Sequence, residues 1–139
     1  MARETPGTAV QKVVFDTDVL IWYLRGNTRA RRFVAAIPYS DRCVSSLTYM
    51  ELLQGCRDRD EVRQVQAFIS HNVPILLHPD ESISRVAIDL IEEHALSRGL
   101  RVVDAVIAAT ALQARSSLAT TNRRHYRFIS RLHMVTFRP

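Results

Sequence analysis

Three acids interrupt sequence that is otherwise apolar: Asp16 after Val13-Val14-Phe15, Glu51 between Met50 and Leu52, and Asp104 within VVDAVIAATAL. An ionised carboxylate is rarely buried without a partner, and Asp104 has no cation in its own segment. Each acid alone has a structural explanation. Asp16 suits a turn at a strand end, Asp104 suits the first turn of a helix, where the dipole favours an acid, and Thr48-x-x-Glu51 fits a capping box. Taken together they point to chemistry. Carboxylates that converge repel one another and retain their protons unless a cation neutralises them. Donors that are all oxygen suit a hard ion, Mg2+ or Mn2+. Such an ion lowers the pKa of bound water and stabilises charge on a phosphoryl oxygen, which makes phosphodiester hydrolysis the matching reaction.

The elements that must position these acids follow from the pattern of apolar residues. Short apolar runs predict strands at 13–15, 42–45, 74–77, 117–120 and 132–137. Helices are predicted over 19–25 with Asp18 as N-cap, over 28–36, over 46–55 with Ser46 or Thr48 as cap, over 60–71, over 81–98 ending at Gly99, and over 102–115. Strands alternating with helices predict an α/β fold, a central, mostly parallel sheet of about five strands with helices on both faces. In such sheets ligands bind outside the carboxyl ends of the strands, which is where the Asp16 side chain would emerge. Residues 1–11 read as a flexible leader and residues 12–139 as a single domain.

With 139 residues the chain has room for one domain. Its 47% hydrophobic and 24% charged content excludes disordered, collagen-like and coiled-coil classes. No apolar run approaches the roughly 18 residues of a membrane span, and the N-terminus lacks the ~7–15-residue apolar core of a secretory signal. Cys43 and Cys56 form neither a disulfide framework nor a zinc spacing, so a reduced, cytoplasmic protein is expected. The net charge is +5, and Lys12 is the only lysine among 19 basic residues. Arginine's planar fork matches phosphate, so the excess fits a polyanionic partner as well as a solvated basic surface.

The segments VVFDTDVLIWYL, VSSLTYMELLQG, GLRVVDAVIAATAL and LATTNRRHY, in this order and spacing, resemble a PIN-domain ribonuclease, most closely the VapC-type toxins of bacterial toxin–antitoxin modules. The resemblance runs from about Lys12 to the C-terminus. It implies a three-layer α/β/α fold, with Asp16 as the first-strand metal ligand, Glu51 as the acid of the third helix and Asp104 as the acid opening the central helix. The family's fourth acidic or amide position falls on Asn122, and Asp18 occupies a position that acts through water, with Thr17 accessory beside it. With Asn122 in place of an aspartate the site has one charge fewer. The resemblance then implies one tightly held Mg2+, with Mn2+ as substitute, on Asp16 and Asp104, and Glu51 orienting water. It further implies RNA as substrate, a VapB-like antitoxin, a homodimer, and no membrane association. Setting aside Asp16, Asp18, Glu51 and Asp104 leaves ten acids against nineteen bases, a balance of +9 around an acidic pit. That suits RNA, whose backbone arginines can hold while the site cuts it.

Other readings remain beside this one. Asp16-Thr17-Asp18-Val19 is similar to the first motif of haloacid-dehalogenase-type phosphatases, which need a downstream lysine that this chain lacks. A housekeeping PIN nuclease of RNA maturation, or a PIN module that binds RNA or a partner without cutting, uses the same segments. None of His71, His78, His94, His125 and His133 has metal-ligand spacing; His125 alone, close to Asn122, reads either as cleft-lining or as a surface histidine. Among the arginine clusters, Arg123, Arg124, Arg127 and Arg131 flank the expected site and are the best RNA-contact candidates. Trp22, Tyr23, Phe33 and the 62–69 stripe offer more apolar surface than the core requires, and so predict an interface.

Overall fold

The computed structural model describes residues 12–139, so the leader expected over 1–11 lies outside the described residues. Five short strands, β1 (Val13–Phe15), β2 (Arg42–Ser45), β3 (Ile75–Leu77), β4 (Ser117–Thr120) and β5 (Met134–Thr136), form one sheet in the order β3-β2-β1-β4-β5. Every pairing is parallel, with Phe15 opposite Ala119 and Val14 opposite Cys43. β1 is an unbroken apolar run and β2 and β4 are apolar at their middle residues, because both faces of these central strands are covered. Side chains alternate along them: Val14, Cys43 and Leu118 pack on one side, Val13, Phe15, Val44 and Ala119 on the other.

Six helices form the outer layers: α1 (Thr17–Leu24), α2 (Thr28–Ala36), α3 (Ser46–Gln54), α4 (Arg59–Asn72), α5 (Glu81–Arg98) and α6 (Val102–Gln113). The first four cover the face of Phe15, while α5 and α6 cover the face of Val14. The expected three-layer α/β/α architecture is therefore borne out, with the sheet wholly parallel. Four alanines of α6 (Ala105, Ala108, Ala109 and Ala111) are fully buried, so this helix lies close against the sheet.

Several boundaries differ from the sequence reading, each for a local reason. Asp16, not Asp18, caps α1: its backbone is extended and its carboxylate accepts the Thr17 N–H. Ser45 caps α3 through Leu47 N, so neither Ser46 nor Thr48 does, and the Thr48–Glu51 capping box does not form. Asp58 starts α4 one residue earlier, α6 stops at Gln113, and β3 and β5 are shorter than read.

The apolar surplus is largely used inside the fold. Tyr23 packs on Phe68 and Phe33 stacks on Phe137, both at 4.6 Å between ring centroids, and Val65, Phe68 and Ile69 are buried. Trp22 alone of that set stays exposed. Left-handed backbone marks three turns. Gly26 (φ 86°) and Gly99 (φ 69°) follow helices where a side chain would be strained, whereas Arg115 (φ 52°) is the one non-glycine residue of this kind among the described residues.

Candidate active site

The chain steps outward from β1 to β2 and β3, then returns to the other side of β1 at β4. Neighbouring strands β1 and β4 therefore send their connections in opposite directions, which opens a crevice at their carboxyl ends. Asp16 stands at that point, 6% exposed. Its Oδ1 accepts the Thr17 N–H (2.9 Å) and its Oδ2 accepts the hydroxyl of Thr120 (2.9 Å), at the end of β4.

Asp18, in the first turn of α1, turns Oδ2 to Thr121, accepting from its backbone N (3.1 Å) and from its hydroxyl. The other oxygen, Oδ1, is buried and without a hydrogen-bond partner. Asp104 reaches the same crevice from the first turn of α6. Its Oδ1 accepts from the Tyr126 hydroxyl (3.2 Å), and its Oδ2 lies 3.4 Å from His125 Nδ1. Tyr126 is fully buried. Burial and the charges of Asp16 and Asp104 push its phenol far above the ordinary range, so it stays a proton donor.

Asp16 is thus linked to Asp18 through Thr120 and lies within electrostatic reach of Asp104, and its carboxyl registers both charges. Burial first, then the charge of Asp18, with a smaller push from Asp104, raise the Asp16 carboxyl from 3.8 to about 7. Hydrogen bonds from Thr120 and Tyr126 act against the rise without cancelling it. A carboxyl whose folded pKa exceeds its unfolded value favours the fold at low pH. That contribution is complete below about pH 4 and lost as pH climbs through 7. In metal-free protein the stability gained by Asp16→Asn should therefore grow between about pH 4 and pH 8, by about 4 kcal/mol at most. Thermal melts of both proteins across that range, in chelator, are the check. A difference independent of pH would mean that Asp16 titrates normally.

Glu51 is joined to this group indirectly. Thr17 Oγ1 donates to Glu51 Oε1 (2.7 Å) and lies 3.1 Å from the Thr48 hydroxyl. Glu51 also lines a cleft of about 500 Å3 between α1, α3 and α4. Asn122 is tied in by its backbone, whose N–H donates to the Thr120 hydroxyl (3.0 Å), while its side-chain Nδ2 donates to His125 Nε2 (3.1 Å). Arg123, Arg124 and Arg127 follow on the connection to β5, and all three are exposed.

Residues that the sequence did not single out complete the arrangement. Thr120 and Thr121 orient two of the acids, and the Tyr126 hydroxyl holds the third. His125, which the sequence left as either cleft-lining or surface, bridges Asn122 and Asp104 although its side chain is 53% exposed. Only the TTN turn after an apolar strand hinted at the threonines.

The donor set fits a small divalent cation. It is all oxygen, it carries mutually repelling charge, and one buried carboxylate oxygen is unpartnered. Among the described residues no three His, Cys, Asp or Glu side chains stand close enough together to hold a metal ion by themselves. Mg2+ does not require this, because it ordinarily rests on one or two carboxylates and fills its shell with water and substrate phosphate.

Comparison with known proteins agrees with this fold. A family model described as PIN domain matches residues 13–129. The chain is 34% identical over 116 residues to Ribonuclease VapC19 of Mycobacterium tuberculosis, in two strains, covering 81% of this chain and 90% of that protein. Among solved structures, a toxin-antitoxin complex from Klebsiella pneumoniae superposes with a TM-score of 0.78 and 25% identity, over 92% of this chain and all of the other. VapBC2 from Rickettsia felis, bound to a DNA fragment from its promoter, gives the same TM-score at 14% identity over 91% of this chain and 99% of the other.

Proposed function

Because the chain belongs to the PIN-domain family, we propose that it is an endoribonuclease toxin of the VapC type, cutting RNA with Mg2+ and held inactive by a VapB-like antitoxin. The observation that carries the chemistry is Asp16. It is a carboxyl lifted to about 7 by burial and by two neighbouring acids, at the carboxyl end of the central strand. A protein keeps such repulsion where something positive relieves it.

A divalent cation, Mg2+ with Mn2+ as substitute, supplies neutralisation of phosphoryl charge and a more acidic water. The chain's own residues do the rest. Asp16 and Asp104 provide the charge that holds the ion. Thr120 and the Thr17 N–H fix the plane of the Asp16 carboxylate, and Tyr126 fixes that of Asp104. Asp18 adds negative charge beside them. Glu51, aligned by Thr17, orients the attacking water and accepts its proton. Arg123, Arg124 and Arg127 hold the phosphate backbone.

The antitoxin can block this site by charge as well as by occupancy, since an arginine on its tail would pair with the acids in place of metal. We assign the active form as a homodimer acting in the cytoplasm. No described helix is long and apolar enough to cross a membrane.

Purified protein should cleave single-stranded RNA in Mg2+, stop in EDTA, and recover in Mn2+. Cleavage that EDTA leaves unchanged would overturn the metal-dependent reading. Asn122→Asp should tighten Mn2+ binding by several fold, because it adds a charge beside Asp16 and Asp104. Calorimetric titration of metal-free protein reads this directly, and an unchanged affinity would put residue 122 out of the metal's reach.

A further inference from the structure

Parallel strands oblige the chain to travel back along the sheet between them, and from β4 to β5 that return is made by residues 121–133. The segment carries Arg123, Arg124, Arg127 and Arg131 and not one Asp or Glu. All four arginines are exposed, and among the described residues none stands in an ion pair. The path starts at Thr120 and Thr121 beside the acids and ends at the opposite, amino edge of the sheet.

There it meets a cavity of about 440 Å3 lined by Arg115, Arg131, His133, Ser116 and Ser117, with no acid in its wall. His133 Nδ1 is hydrogen-bonded to the Ser117 hydroxyl at 2.7 Å. Arg115 holds its place at a backbone cost. It ends α6 in the left-handed conformation, with Arg115 N bonded to Leu112 O and Ser116 N to Ala111 O. Helix ends closed this way ordinarily take glycine, as Gly26 and Gly99 do in this fold. Its exposed side chain gains nothing from core packing that would offset the strain. A side chain kept at a strained position points to a use for that side chain.

We propose that this cavity is a phosphate-binding subsite for the RNA strand. The substrate then runs single-stranded along the β4–β5 connection, from the acids to the amino edge of the sheet. The inference rests on the ribonuclease reading and adds to it where the substrate goes. Arginine forks bind phosphodiester oxygens in pairs, and from Asn122 to Arg131 in the cavity wall the segment carries four exposed arginines and no acid. Four residues of β4 separate the two ends by about 10 Å, so recognition extends past the nucleotides that flank the cut bond.

The test uses the full chain carrying Asp104→Asn, so that bound RNA stays intact. Arg115→Gly and, separately, Arg131→Gln are added. Fluorescence anisotropy then follows a labelled single strand of roughly twelve nucleotides and a dinucleotide that spans only the cut bond. Arg115→Gly should leave Tm unchanged or raised, since it relieves the left-handed backbone, which removes misfolding as an explanation. Each variant should weaken the long strand roughly fivefold and lower the slope of log Kd against log salt by about 0.7, one phosphate contact. The short strand should bind equally to all proteins. Unchanged affinity and slope for the long strand would overturn the subsite while leaving the ribonuclease reading in place. So would a glutamate oligomer of matched charge that binds as tightly as the RNA, since that would mark the cavity as a protein contact. If neither strand binds any of these proteins, the ribonuclease reading itself fails.

Discussion

Asp104→Asn should lower the rate of RNA cleavage by about 10^3-fold or more, with the fold intact. The substitution is nearly isosteric, and its amide oxygen can still accept from the Tyr126 hydroxyl, so the packing around α6 has no reason to change. What disappears is one of the charges that hold the cation. Loss of the transition-state stabilisation such an ion provides, several kcal/mol, corresponds to this factor. The same substitution removes one of the like charges that lift Asp16, so metal-free Asp104→Asn should melt higher than the unsubstituted chain. The two effects have opposite signs, which separates a functional acid from a structural one. A variant that cleaves at the original rate would show that Asp104 is not part of the machinery.

Expression of the chain alone should stop bacterial growth, and Asp16→Asn at a matched level should not. Co-expression of the small protein encoded in the neighbouring reading frame should restore growth. Relief should persist with an antitoxin that folds but cannot bind DNA, because inhibition acts on the toxin itself. The effect is binary on a growth plate, and its failure is informative. If the unsubstituted chain and Asp16→Asn are equally harmless when expressed alone, the toxin reading gives way to a housekeeping nuclease of RNA maturation.

The architecture was legible because its punctuation is chemical. Gly99 closes α5 where it was expected to, and the strands centre on apolar residues such as Val14, Val44 and Leu118. The start of α1 was not legible. Asp16 and Asp18 are equally good capping types, and only the extended backbone of Asp16 decides between them. The fate of Tyr23 and Phe33 depended on partners, Phe68 and Phe137, that lie 45 and more residues away in the chain. Asp16 and Asp104 stood out as charges in apolar surroundings. Thr120, Thr121 and Tyr126 did not, because a threonine or tyrosine near a strand end is unremarkable until tertiary contacts place it against a carboxylate. Asn122 was expected among the acids, yet its side chain is engaged with His125, an orientation that spacing cannot convey.

The strand order has a consequence for synthesis. β1 leaves the ribosome first, but the strand that pairs with its other edge and supplies Thr120 to Asp16 is 104 residues further along. Asp104 precedes that strand and Tyr126 follows it. A nascent chain therefore has no assembled site until β4 and Tyr126 have been translated, and the long-range pairing of β1 with β4 is a slow kind of contact to form. Until β4 docks, the nascent chain holds Asp16 without its Thr120 partner, and an inhibitor has that interval in which to be present.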